Sequence, residues 1–179
     1  MSNIRLAVSL SGVYAIGGVK MASRPIKGRH VMARGRLRGF DPDRLRAARI
    51  SAQMTQEQLA IRAGVARSAI TSWEAGKNAP DPRRARAIAQ LLNIRISDLS
   101  ALEDSAVRPA DYRAWAGLTR EGLSEVTGIG VTPLAEIERY LRRPNPDNTE
   151  TISAALGIDA ATYVAAWERG RRDAESGNL

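Results

Sequence analysis

The chain has 179 residues, enough for one ordinary domain or two small ones, and carries 27 Lys and Arg against 19 Asp and Glu, a net charge of +8. It has no Cys, one His (His30) and one Phe, which excludes disulfides, thiolate metal sites and a His-based catalytic dyad, and leaves Ala, Leu, Ile and Val to build any core. The charge is uneven: residues 1–40 hold eight basic residues and no acidic one, whereas residues 109–168 hold five basic and nine acidic, so a polyanionic partner is expected for the front of the chain only.

Residues 1–39 show no sustained period, and Arg24, Lys27, Arg29, Arg34, Arg36 and Arg38 are scattered among glycines. Two readings stay open for this basic, flexible arm: a segment that neutralises phosphates, or a leader without structure, with Met21 and Met32 as later starts. The apolar stretch from Ile4 to Val19 is too short and polar to span a bilayer and is followed by basic residues rather than a cleavage signature, so a cytoplasmic protein is expected. Order should begin at Phe40. Asp41 is a good N-cap and Pro42 suits a first helical position, opening a helix to about Ala52 through Leu45 and Ala48. Thr55 and Gln58 form a capping box for a second helix toward Ala63, and Gly64 supplies a turn. A third helix is expected from Arg67 to Ala75, closed by Gly76. Asp81 caps a fourth through Leu92, and Ser97 a short fifth around Asp98 to Leu102.

The pattern then repeats. At an offset of 64, residues 55–99 align without gaps onto 119–163, with Thr55/Thr119, Leu59/Leu123, Gly64/Gly128, Glu74/Glu138, Pro80/Pro144 and Pro82/Pro146 among ten identical pairs. The sequence predicts an all-α chain of two five-helix units: an arm at 1–39, a first unit at 40–103, a second, degenerate unit at 109–168, and a tail at 169–179. Tyr112, Trp115 and Leu118 fall on the first helix of the second unit, and Tyr163 and Trp167 on its last, which is open to continuation into Arg169–Arg172. Pro133 is tolerated only near a helix start, so Thr132 is expected to cap a shortened third helix there.

Leu45-Arg46, Met54-Thr55-Gln56-Glu57-Gln58-Leu59-Ala60, Ala63-Gly64-Val65, Ser68, Ile70 and Trp73 through Pro80 resemble the Cro/C1-type (lambda-repressor-like, XRE) helix-turn-helix family over residues 43–102. The second unit resembles it more weakly. Ala66 departs from the pattern, since members usually place Ser or Thr as that N-cap, a loss of about 1 kcal/mol. The resemblance implies a double-stranded DNA operator as partner. By position, Arg67, Ser68, Thr71 and Ser72 would face base edges in the major groove, and Gln56, Lys77, Asn78 and Arg49 would contact phosphates. The chemistry agrees for the reading face: Arg can pair bidentately with guanine, and short hydroxyl residues permit close approach. Arg36, Arg38, Arg139, Arg142 and Arg143 are candidates for auxiliary DNA contacts. In the second unit the reading positions become Val131, Thr132, Ala135 and Glu136, which removes the cation and adds a carboxylate that phosphates repel.

The resemblance implies a sequence-specific transcriptional regulator, a repressor of the phage-immunity, plasmid or bacterial type, with no cofactor, no metal and no enzymatic activity. The alternative is an antitoxin or adaptor whose acidic second unit binds a protein while the first autoregulates its operon. Three readings stay open for the second unit: a dimerisation or partner-binding module, with a homodimer on a palindromic operator; a second DNA module using Arg139, Arg142 and Arg143 on the backbone, with a monomer on an asymmetric site; or a structural relic.

Overall fold

Asp41, Thr55 and Asp81 each precede a helix whose first backbone N–H groups have no partner within the helix, and each side chain supplies the missing acceptor. The Asp41 carboxylate accepts from the Asp43 and Arg44 amides at 2.9 and 3.3 Å. Thr55 and Gln58 cap one another reciprocally at 3.1 and 2.8 Å, and Asp81 accepts from the Arg84 amide at 2.9 Å. The computed structural model of the chain describes residues 35–177, all within one compact unit, Val31–Leu179. Residues 1–34 of the basic arm expected at 1–39 lie outside the described residues.

In chain order the helices are α1 (Pro42–Ser51), α2 (Gln56–Ala63), α3 (Arg67–Glu74), α4 (Pro82–Leu92), α5 (Pro109–Trp115), α6 (Arg120–Thr127), α7 (Val131–Glu138), α8 (Pro146–Leu156) and α9 (Ala160–Glu175), with 3₁₀ turns at Ile96–Leu99 and Asp104–Ala106. The expected all-α class holds among the described residues, where the only β feature is an isolated bridge between Phe40 and Ser100. α6, α7 and α8 each begin and end 64 residues after α2, α3 and α4. Gly64 and Gly128 close α2 and α6 with φ of +65° and +73°, a conformation open to Gly at little cost and strained for a residue with a Cβ.

Two apolar clusters fill the interior. Leu37, Leu45, Leu59, Ile70, Trp73, Ile88 and Leu99 form the first; Leu123, Leu134, Ile137, Ile152, Tyr163 and Trp167 form the second. Burying one such aliphatic side chain contributes about 1.5–3 kcal/mol. α5 joins the two, packing on α4, on the Ile96–Leu99 turn and on α9.

Four expectations change in the folded chain. The short fifth helix is a 3₁₀ turn that starts earlier, at Ile96; the Asp98 carboxylate accepts from the Arg95 amide at 2.9 Å and caps it, so Ser97 lies inside the turn rather than at its cap. Thr132 likewise lies inside α7, which starts at Val131 after Gly130 and keeps the full length of α3; Pro133 fits because it occupies the first turn, where no N–H is required. α9 runs to Glu175, so residues 169–175 are helix, not tail; Arg169 donates to the Asp104 carbonyl at 3.2 Å and Asp173 meets Arg108 at 3.2 Å. Gly170 permits this packing, since a Cβ there would collide with the Tyr140 ring. Finally, the chain is part of the fold before Phe40, with Leu37 buried and its amide donating to the Pro80 carbonyl at 2.9 Å.

Candidate nucleic-acid interface

α3 divides by helical period. Ile70, Trp73 and Glu74 turn inward and are buried, while Arg67, Ser68 and Thr71 are exposed and Ser72 is half-buried on the opposite side. Its N-cap, Ala66, makes no side-chain hydrogen bond. The helix is anchored at its other end by Glu74, whose side chain is 2% exposed. Arg49 grips the carboxylate with Nε at 2.6 Å and Nη2 at 2.9 Å, and donates Nη1 to the Met54 carbonyl at 2.8 Å. Burial alone would raise the Glu74 carboxyl, but hydrogen bonds from Arg49 and Gln56 and the nearby Arg49 and Arg46 charges outweigh it and hold it below the ordinary carboxylate value. The hydrogen bond to Glu74 in turn raises the Arg49 guanidinium further.

Gln56 carries this order outward. Its Nε2 donates to Glu74 at 2.8 Å and its Oε1 lies 3.1 Å from the Thr71 hydroxyl, which also reaches the Arg67 carbonyl at 3.1 Å. One Gln56 amide hydrogen remains available at the start of α2. Beyond α3, exposed Asn78 reaches Ser72 Oγ at 3.4 Å. Among the described residues, neither Arg67 nor Lys77 has a carboxylate within ion-pair distance.

Several expected contacts are committed elsewhere. Arg49, expected at a phosphate, has a side chain only 13% exposed and belongs to the Glu74 pair; it positions α3 instead. Arg38 meets buried Asp111 at 2.5 Å and also donates to the Ala106 carbonyl, so it ties the chain before α1 to the start of α5. Arg142 faces Glu136 at 3.7 Å and Arg143 faces Glu168 at 2.9 Å, so these two, expected as auxiliary DNA contacts, meet carboxylates at the surface. Arg36 and Arg139 are exposed without such a partner among the described residues.

Sequence reasoning missed a second copy of the buried pair. Glu138, 64 residues after Glu74, receives Arg113 Nε at 2.5 Å and Nη2 at 3.2 Å, while Arg113 Nη1 donates to the Leu118 carbonyl at 2.9 Å. Arg120, at the position of Gln56, adds a second cation at 2.8 Å. Arg49 and Arg113 also stand 64 apart, but outside the aligned window; extending the offset six residues toward the N-terminus would have found them. Among the described residues no group of three or more His, Cys, Asp or Glu is placed to hold a metal, and no helix is long and apolar enough to cross a membrane.

The helix-turn-helix family matches residues 45–99, from within α1 to the end of the first 3₁₀ turn. An uncharacterized HTH-type transcriptional regulator of Archaeoglobus fulgidus is 44% identical over 61 residues, 34% of this chain and 87% of that protein. The chain belongs to the Cro/C1-type helix-turn-helix family. No solved structure matches it. In this helix-turn-helix chain the matched segment contains α2, α3, the Glu74 pair and Lys77, and ends before α5.

Proposed function

We propose that the chain is a sequence-specific double-stranded DNA-binding transcriptional regulator acting as a repressor, with α3 inserted in the major groove. The observation that carries this reading is the α3 face itself: Arg67, Ser68, Thr71 and Ser72 lie outward on a helix braced from beneath, with no carboxylate paired to Arg67 among the described residues. A short, rigid, cationic helix of small side chains fits the groove, where Arg pairs with guanine O6 and N7 and the hydroxyls reach neighbouring edges. Lys77, Asn78 and the free Gln56 amide hydrogen then flank the groove as phosphate contacts. Occupying a promoter excludes polymerase without a further contact, which favours repression.

The family resemblance and the recurring helix bounds and buried Arg–Glu pair support reading residues 109–175 as a degenerate copy of the same unit. Its α7 carries no cation at the reading positions and has Glu136 there, which favours a protein-facing role over a second reading helix. Sequencing genomic fragments retained by the purified protein tests the whole reading. A recurrent motif, palindromic with half-sites about one helical turn apart if the chain pairs, is the expected result. Salt-insensitive or absent retention of duplex DNA would overturn it.

A further inference from the structure

In the first half, residues 37–40 fill the space beside the start of α4. The Leu37 amide donates to the Pro80 carbonyl at 2.9 Å, the Ser100 hydroxyl donates to the Arg38 carbonyl at 3.2 Å, and Leu37, 3% exposed, joins the core with Ala85 and Ile96. Sixty-four residues on, the counterparts of Pro80, Ala85, Ile96 and Ser100 are Pro144, Thr149, Ala160 and Val164. Together with Trp167 these line an open groove of about 690 Å³.

Among the described residues, no local segment fills that groove. Residues 101 and 102, at the positions of 37 and 38, are spent on the first half: the Ala101 amide donates to the Gly39 carbonyl at 2.8 Å, and Leu102 lies against Gly39. No donor among the described residues reaches the Pro144 carbonyl, the counterpart of the acceptor used by Leu37. The rim carries an acid: Glu150 stands where the first half has Arg86 and, among the described residues, has no cation within ion-pair distance, whereas Arg143 pairs with Glu168 at 2.9 Å.

We propose that this groove binds an extended peptide segment of a partner protein, a leucine-like side chain flanked by basic residues, laid in as Arg36-Leu37-Arg38 lie in the first half. The leucine enters between Pro144, Ala160 and Val164, its amide donates to the Pro144 carbonyl, and a flanking cation meets Glu150. The inference rests on the equivalence of the two halves and does not require DNA binding, so the two readings fail separately.

The probe is a labelled synthetic peptide with the sequence of residues 35–40, Gly-Arg-Leu-Arg-Gly-Phe, titrated into the full chain by fluorescence anisotropy, with amide chemical shifts locating it. Saturable binding is expected, with shifts centred on Ala160, Ala161 and Val164. A peptide with Ser in place of Leu keeps the charge and should bind about tenfold more weakly or worse. Ala161→Arg, at an exposed groove position, should block the intact peptide while leaving thermal unfolding unchanged. Equal binding of both peptides, shifts away from the groove, or no saturation would overturn the proposal. Self-association of the chain that Ala161→Arg abolishes would assign the groove to a second copy and overturn the partner-protein assignment.

Discussion

α3 and α7 have the same length, follow a glycine of the same handedness, and each end in a carboxylate gripped by an arginine, Glu74 and Glu138, yet present opposite surfaces. Three exposed large apolar residues of the second half are Val126, Val131 and Leu141, at 47%, 38% and 75%. Counted back by 64 they stand for Arg62, Arg67 and Lys77. Ser72 becomes Glu136 and Thr71 becomes Ala135. Helix bounds and the buried pair recur while cations give way to aliphatic side chains, so the residues that hold the cores and those that set the surfaces occupy different positions.

That separation can be broken most severely at its shared centre. Glu74→Ala leaves Arg49 buried without its partner, and Glu138→Ala leaves Arg113 and Arg120; each should cost about 3–5 kcal/mol in urea unfolding. A silent Glu138→Ala beside a damaging Glu74→Ala would show that the halves are not equivalent in their interiors. Glu74 also contributes to the acid limb. Its native pKa lies below the unfolded value of 4.5, so its contribution is fully present above that value and is lost as pH falls through the lower native one. Glu74→Gln should flatten stability over that window, which unfolding curves from neutral to acid pH will measure.

At the surfaces the effects should be smaller and one-sided. Arg67→Ala should weaken operator binding by about 1–3 kcal/mol and relax preference at one base pair, whereas Val131→Ala should leave DNA affinity unchanged. Equal losses in a binding titration would place both helices on DNA. Lys77→Ala should weaken all sequences alike and reduce the salt slope by about one unit; a sequence-selective loss would contradict a phosphate role. The mildest change is Ala66→Ser, which restores the missing N-cap of α3 and should stabilise the chain by about 1 kcal/mol, read as a raised urea midpoint.

Much of the first half was legible from short spacings. Asp41-Pro42, the Thr55/Gln58 box, Gly64 and Asp81-Pro82 act on backbone groups within four residues, and each helix they announce is present close to its expected bounds. The fifth helix was misjudged because two local caps competed: Asp98 reaching back to Arg95 sets an earlier start than Ser97 would. Thr132 failed as a cap for a related reason, since packing of Leu134 and Ile137 in the second core holds α7 from Val131. The candidate interface was legible where periodicity separates inward from outward residues, as at Ile70 and Trp73 against Arg67 and Thr71.

Charge was the hard part. Arg38, Arg49 and Arg67 look alike in sequence, yet the first holds Asp111, 73 residues away, the second holds Glu74, 25 residues away, and the third meets solvent. The amino-acid sequence alone determined the all-helical class, the starts of α1, α2 and α4, the offset of 64, and the loss of cations from the second half, because each depends on neighbours or on counting. Tertiary structure alone decided which arginines are buried in pairs, and that residues 101 and 102 pack on the first half beside an open groove in the second. Those outcomes follow from contacts between residues far apart in the chain, whose geometry exists only once the cores have assembled.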